Sequence, residues 1–133
     1  MSQYKDFIGK LVLPHQLYVG KIVYVVDIYL QVVHRHKVVS KLITTDKVYP
    51  LPRYNTLISI NNKWYQDQLL LAYMENPETL SVKRVFHTKK AAEEFLQFSY
   101  VDPACTEIVE QLVDEYRQYD DYLPDPTDWL GSE

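Results

Sequence analysis

The chain has 133 residues, 47% of them hydrophobic, and a formal net charge of −4. This length fits one domain whose core folds without a disulfide or a metal, and the single Cys105 cannot form an internal disulfide. The three glycines, at 9, 20 and 131, are far apart, which excludes the clustered glycines of Walker-type and Rossmann-type phosphate loops. One thiol, with no apolar stretch typical of a signal peptide or membrane span, predicts a cytoplasmic protein without a membrane span.

The charge is divided unevenly along the chain. Residues 1–100 carry thirteen Lys and Arg against eight Asp and Glu, a net charge of +5. Residues 101–133 carry one Arg against ten acids, a net charge of −9. A basic body followed by an acidic C-terminal segment is the most informative global feature of the sequence.

The first strand signal is the longest. Residues 19–33 are rich in β-branched residues and tyrosines, with one purely apolar face and one mixed face, which predicts a strand with one buried face. This stretch is either one bent strand or two strands with a bend near Asp27. The polar residues 34–37 predict a turn or a strand end, and residues 38–45 predict that a strand resumes.

Three further strand signals lie between residues 56 and 87, and the first two flank a hairpin signal. Residues 56–60 and 63–65 flank Asn61 and Asn62, and asparagine tolerates the left-handed backbone that a two-residue hairpin turn requires. We therefore predict a hairpin at this position. Residues 80–87 alternate between apolar and polar side chains and predict another strand.

Two helices are predicted near the C-terminus. Thr88 is a good N-cap for a helix over residues 88–98. Asp102 as N-cap and Pro103 as the first helical residue predict a second helix over residues 103–119. The second helix carries an apolar stripe at helical spacing. Its members are Cys105, Ile108, Val109, Leu112, Val113 and Tyr116.

Short strands followed by helices predict an α+β domain over residues 1–119. We expect a small antiparallel β-barrel or curled sheet over about residues 8–87, packed by the two helices. Residues 120–133 contain two prolines and several acids and are expected to form a flexible acidic tail.

Three segments resemble small SH3-like β-barrel proteins found in Firmicutes and their phages. The segments are residues 19–27 (VGKIVYVVD), 63–65 (KWY) and 85–96 (VFHTKKAAEEFL). The resemblance covers about residues 19–98, and the extension over residues 101–133 departs from it. It implies an SH3-like fold, but it implies no chemistry and no functional residue.

The histidines offer the only metal-like pair. His34 and His36 would share one face of a strand, so that both rings could reach one ion, with His15, His87 or a distant carboxylate as the third ligand. The basic residues beside the pair would repel a cation. A solvated turn is the simpler interpretation, and a His-dependent metal-binding protein is kept as the third functional alternative.

No residue pattern indicates catalysis. Cys105 lies in the first turn of a predicted helix, where the pKa of a thiol is lowered, but it also lies on the apolar stripe, which favours a buried structural cysteine. No carboxylate pair or serine stands in a catalytic pattern. We therefore expect a non-enzymatic protein that needs no cofactor.

Basic and aromatic residues alternate within the predicted barrel, as they do in small barrels that stack single-stranded nucleic acid on aromatic rings. This set favours a nucleic-acid-binding accessory protein as the second alternative. Its members are Arg35, Lys37, Lys41, Arg53, Tyr54, Lys63 and Trp64.

The acidic C-terminal region is the first choice for a functional surface, because a few large apolar residues stand among its acids. Such segments suit docking into a basic, hydrophobic groove of a protein partner, although they also suit binding to the chain's own body or mere solubilisation. The predicted partner-binding residues are Asp114, Glu115, Asp120, Asp121, Tyr122, Leu123, Asp125, Asp128, Trp129 and Leu130. A phage or mobile-element protein that binds a host protein would fit this pattern. The sequence is also compatible with a homodimer.

Overall fold

The computed structural model describes residues 3–44 and 51–121, with side chains described as far as Arg117. The helices are α1 (Lys5–Ile8), α2 (Lys89–Ser99) and α3 (Pro103–Asp121). The strands are β1 (Ile22–Asp27), β2 (Val32–Val38), β3 (Arg53–Ile60), β4 (Lys63–Leu70) and β5 (Lys83–Phe86). Single 3-10 turns occupy Pro14–Gln16 and Leu71–Tyr73. Within these ranges, no helix combines the length and apolar character needed to cross a bilayer.

The five strands form one antiparallel sheet in the order β4-β3-β2-β1-β5. The predicted α+β class is confirmed. The prediction of a barrel or a curled sheet is confirmed for the antiparallel sheet and wrong for the closed barrel, because the edge strands β4 and β5 do not pair with each other. Between these two strands the chain forms a 3-10 turn and a loop instead of a sixth strand that could close the sheet.

The region predicted as one long strand or two strands consists of β1 and β2. The side chain of Asp27 ends β1, because its Oδ1 accepts hydrogen bonds from the backbone N–H groups of Tyr29 at 2.9 Å and Leu30 at 3.0 Å. Gln31 then adopts a left-handed conformation with φ of 59°. The prediction of a turn or a strand end at residues 34–37 is wrong, since these residues lie inside β2 and pair with β1.

The predicted hairpin at Asn61 and Asn62 is confirmed. Both residues have positive φ, 51° and 65°, and join β3 to β4. Of the strand predicted over residues 38–45, residue 45 lies outside the described residues; among residues 38–44 only the first belongs to β2, and Ile43 forms an isolated bridge. The strand predicted over residues 80–87 is confirmed as the shorter β5.

Both faces of β1 are buried, so the prediction of a single buried face is wrong. Val26 faces a cluster that contains the helices, whereas Val23 and Val25 face a second cluster on the opposite side of the sheet. The helix-side core consists of Phe7, Leu11, Val26, Ile28, Phe86, Ala91, Ala92, Phe95, Phe98 and Cys105. The opposite core consists of Val12, Val23, Val25, Val38, Tyr54, Leu69, Met74 and Val85.

The two C-terminal helices begin where predicted. The Thr88 hydroxyl accepts a hydrogen bond from the N–H of Ala91 at 3.2 Å, which caps α2. The Asp102 carboxylate accepts one from the N–H of Cys105 at 3.1 Å, at the start of α3. The second helix reaches Asp121, two residues beyond its predicted end. Both start signals depend on local hydrogen bonds that the sequence specifies directly.

The helices cover only part of the sheet. The contacts of α2 with the sheet concentrate on β1, β2 and β5. On the same face of β3 and β4, the side chains of Asn55, Gln66 and Gln68 are exposed, and Trp64 is 41% exposed. The half of the sheet formed by β3 and β4 therefore presents side chains to solvent.

A buried arginine holds the loop between β4 and β5. Arg84 is 2% exposed, and its Nη1 donates to the carbonyl oxygens of Tyr73 at 3.1 Å and Glu75 at 3.2 Å. Its Nη2 donates to the carbonyl oxygens of Asn76, at 3.0 Å, and Thr79. One side chain thus satisfies four carbonyl groups of a segment that has no sheet partner.

Replacing Arg84 tests this role. We expect Arg84→Met to lower the free energy of unfolding by about 3 kcal/mol, because the carbonyl groups lose charged hydrogen-bond donors. Urea unfolding followed by circular dichroism measures the change. The matched control Arg35→Met removes an exposed arginine and is expected to cost less than about 1 kcal/mol. Equal losses in the two variants would contradict the structural role of Arg84.

Candidate functional site

Partly exposed aromatic and aliphatic side chains meet where α3 passes the turn between β1 and β2. The rings of Tyr29 and Tyr116 lie 5.7 Å apart between centroids, and Leu112 lines the same groove. The groove has a volume of about 380 Å³. Leu30 is 60% exposed and Tyr116 is 50% exposed. These four residues are called the α3–turn surface.

The turn that carries Tyr29 and Leu30 is fixed by its neighbours. The buried Asp27 accepts two backbone hydrogen bonds from the turn, and its Oδ2 lies 3.9 Å from Nζ of Lys83. Lys83 also donates to the hydroxyl of Tyr73 at 3.3 Å. A partner would therefore meet a turn that is already ordered, and binding would require little further loss of conformational entropy.

The two predicted acidic residues with described side chains lie on α3 near the residues of the α3–turn surface, but on different sides of the helix. Asp114 and Glu115 are both exposed. At 100° per residue, Asp114 lies on the side of α3 opposite the buried Cys105, and Glu115 lies beside Ile108. Glu115 thus borders the partly exposed apolar stripe, and Asp114 faces away from it.

The rest of the predicted partner-binding set extends beyond the described side chains. Asp120 and Asp121 belong to the backbone of α3. The other members lie outside the described residues, and they are Tyr122, Leu123, Asp125, Asp128, Trp129 and Leu130.

The structure brings together three residues of the predicted nucleic-acid set. The guanidinium carbon of Arg35 lies 4.9 Å from the ring centroid of Trp64. The register pairs both residues with Ser59, so they share one face of the sheet, and Lys37 lies on that face two residues along β2. A cation stacked on an exposed indole is suited to contact with an anion or a planar ring.

The other four residues are placed elsewhere. Arg53 and Tyr54 are 7% and 8% exposed, because β3 is an interior strand and Tyr54 packs in the core opposite the helices. They are therefore not part of the exposed face. Lys63 is exposed on the opposite face of β4, and Lys41 is exposed in the segment after β2.

His34 and His36 line a cavity of about 340 Å³ on the sheet face opposite the helices. His36 is 4% exposed, and its Nδ1 lies 2.9 Å from Oγ1 of Thr56. Burial lowers the pKa of His36 to about 4, and Asp67 opposes this shift. Within residues 3–44 and 51–121, no three His, Cys, Asp or Glu side chains are grouped to hold a metal ion. The metal alternative thus has no ligand set in this part of the chain.

Cys105 is a buried residue of the helix-side core. Burial raises the pKa of its thiol to about 12, and Asp102 adds to the shift. The thiol is therefore protonated at neutral pH, when a nucleophilic cysteine would need to be a thiolate. The predicted burial of this cysteine is confirmed.

The main residues that sequence reasoning missed are Tyr29 and Leu30, which it placed inside a strand. A local signal was present, because an aspartate two residues before a position can accept its N–H group and start a turn. Asp27 does this for Tyr29. The exposed amides of Gln66 and Gln68 were also missed. They are exposed because β4 lies at the edge of the sheet, beyond the main contacts of α2, and the sequence does not reveal the strand order.

The fold and these surfaces define an α+β protein with a half-covered sheet and an amphipathic C-terminal helix. No protein-family model, no curated protein and no solved structure matches this chain.

The burial of His36 predicts a dependence of stability on pH. Above pH 6.5 its ring is neutral in both the folded and the unfolded chain. Between pH 6.5 and about pH 4, the ring of His36 binds a proton in the unfolded chain but stays neutral in the folded chain. The free energy of unfolding therefore falls as the pH falls through this range. Between pH 7 and 4.5 this group should lower the free energy of unfolding by about 2 kcal/mol.

Urea unfolding at both pH values measures this effect in the variant His36→Gln. We expect the variant to lose about 2 kcal/mol less than the parent chain between pH 7 and 4.5. The control His15→Gln replaces an exposed histidine and should keep the parent's loss. Identical losses in all three proteins would show that His36 does not carry the effect.

Proposed function

We propose that the protein is a non-enzymatic protein-binding module that engages a partner with a basic surface through α3 and the acidic residues after it. The observation that carries the proposal is the α3–turn surface. It combines two tyrosines and an exposed leucine from α3 and the turn, and it is bordered on α3 by the exposed Glu115, while the exposed Asp114 lies on the far side of the helix. Tyrosine is enriched among the residues that dominate binding energy at protein interfaces.

The physical division of roles follows from these positions. The rings of Tyr29 and Tyr116 and the side chain of Leu30 would fill an apolar part of the partner and supply most of the affinity. Asp114, Glu115 and the acids that follow would attract a basic partner and speed association, an effect that salt weakens. The net charge of −9 over residues 101–133 favours this attraction.

The proposal extends to the origin of the protein. We propose that the chain acts in the cytoplasm and that residues 19–98 are related to the SH3-like proteins of Firmicutes and their phages. A phage or mobile-element protein would then bind a host protein, and its acidic helix and tail would occupy a surface that is basic because it binds nucleic acid.

A nucleic-acid-binding accessory protein is the second candidate. The contact between Arg35 and Trp64, with Lys37 on the same face, supports it. Single-stranded nucleic acid could stack on the indole while the cations neutralise phosphates. The burial of Arg53 and Tyr54 leaves this face fewer cations and rings than the sequence predicted.

The test begins with affinity capture by the full chain from nuclease-treated lysate, followed by measured affinities for the purified partner. We expect Tyr116→Ala to weaken binding by about tenfold or more, because it removes a central aromatic contact. The double variant Asp114→Lys with Glu115→Lys should weaken it comparably and reduce its dependence on salt. The control, Glu75→Lys with Glu78→Lys, makes the same change of net charge on another exposed segment and should alter affinity less than about threefold.

Two outcomes would contradict the first candidate. Equal losses in the control and in the α3 variant would show that net charge, and not the α3–turn surface, controls binding. In a parallel capture from untreated lysate, retention of nucleic acid alone, removed by nuclease and weakened by Trp64→Ala and Arg35→Ala, would favour the second candidate.

A further inference from the structure

The outer edge of β4 has no partner within the part of the chain that the structure describes. β4 is an edge strand of eight residues that pairs only with β3. Its first six residues, 63–68, are all exposed. An exposed edge strand of this length is a ready template for pairing with another strand.

The hairpin turn decides which backbone groups point outward. In a two-residue hairpin the flanking residues Ile60 and Lys63 form a hydrogen-bonded pair, and hydrogen-bonded pairs then alternate along the ladder. Tyr65 and Asp67 therefore direct their N–H and C=O groups toward β3. Trp64, Gln66 and Gln68 direct theirs toward the free edge.

Two of the usual protections of an edge strand, a bulge and a proline, are absent from β4. Its pairing with β3 is continuous from Arg53 to Ile60 without a bulge, and it contains no proline. Its only charged residues are Lys63 and Asp67, which have opposite signs and lie four residues apart on the same face. Neither forms an ion pair within residues 3–44 and 51–121.

We infer that β4 pairs in antiparallel fashion with β4 of a second copy of this chain, about a twofold axis at Tyr65. In this register Lys63 of each copy lies opposite Asp67 of the other, which gives two cross-strand ion pairs by symmetry. Trp64 lies opposite Gln66 of the second copy, so their outward backbone groups can exchange hydrogen bonds. The two open sheets become one continuous sheet.

The charges select this register over its neighbours. An axis at Gln66 would place Asp67 opposite Tyr65 and Lys63 opposite Leu69, so neither charge would face an opposite one. An axis at Asp67 would place two like charges directly opposite each other, which is unfavourable. Among these three registers, only the axis at Tyr65 pairs both charges.

The dimer is compatible with the proposed function but does not rest on it. In the sheet order, β3 and β2 separate β4 from β1, which leads into the turn at Tyr29 and Leu30. Leu30 also lines the cavity that Asp67 and Gln68 of β4 border, whereas the groove of Tyr29, Leu112 and Tyr116 is lined by no residue of β4 and would stay accessible on both copies.

Charge exchange in the full chain tests the pairing. Sedimentation velocity over a range of concentrations should show a dimer for the parent chain. Lys63→Asp and Asp67→Lys should each raise the dissociation constant about tenfold, because each creates two like-charge contacts in the dimer. The double variant restores opposite charges and should return the constant to within about threefold of the parent value. Thermal unfolding of the variants checks that each one folds.

Cysteine cross-linking tests the register. Tyr65→Cys would lie opposite itself and should form a covalent dimer on mild oxidation, whereas Gln66→Cys should cross-link at least tenfold more slowly. The native Cys105 is buried, so the parent chain should not cross-link. A monomer at all concentrations, a double variant as weak as the single variants, or faster cross-linking through Gln66→Cys would each overturn the proposal.

Discussion

The guanidinium group of Arg84 organises the chain between the two edge strands, and several features of the molecule depend on it. A buried charge is costly unless it is hydrogen bonded, and here four carbonyl groups of residues 73–79 accept hydrogen bonds from the two terminal nitrogens, while the buried Nε has no partner among the described residues. The segment bound in this way is a 3-10 turn and a loop, so no strand lies between β4 and β5 in the chain. It also contacts the β1–β2 turn indirectly, because the hydroxyl of Tyr73 accepts a hydrogen bond from Lys83, which in turn lies near Asp27.

The division of the sheet into covered and uncovered halves follows from the positions of the strands. β1 is buried on both faces because helices pack on one side and a second apolar core on the other, which explains why its valines occupy consecutive positions. β4 lies three strands away at the far edge, beyond the main contacts of α2. Its polar side chains are therefore compatible with the fold, and Trp64 is stabilised by Arg35. Burial and exposure in this sheet depend on strand order more than on the pattern within any one strand.

Local signals made part of the fold predictable. The caps at Thr88 and Asp102 and the turn at Asn61–Asn62 are each specified by a few adjacent residues, and all three are confirmed. The errors arose where distant contacts decide the structure. His36 appeared to belong to a polar turn, but its partner Thr56 comes from β3, twenty residues away. A barrel and a curled sheet were both left open by the prediction, because no local pattern reveals whether the edge strands β4 and β5 pair.

The candidate site shows the same limit. The acids and the apolar stripe of α3 were readable because helical spacing alone places them on different sides. Their neighbours Tyr29 and Leu30 were not, since the contact between Tyr29 and Tyr116 joins residues that are far apart in sequence. This contact makes the surface larger than a single helix could provide.

In a dimer joined through β4, two such surfaces would belong to one assembly. A partner with two basic sites would then bind the second surface at a high effective concentration, so that modest affinity at each surface could support stable binding.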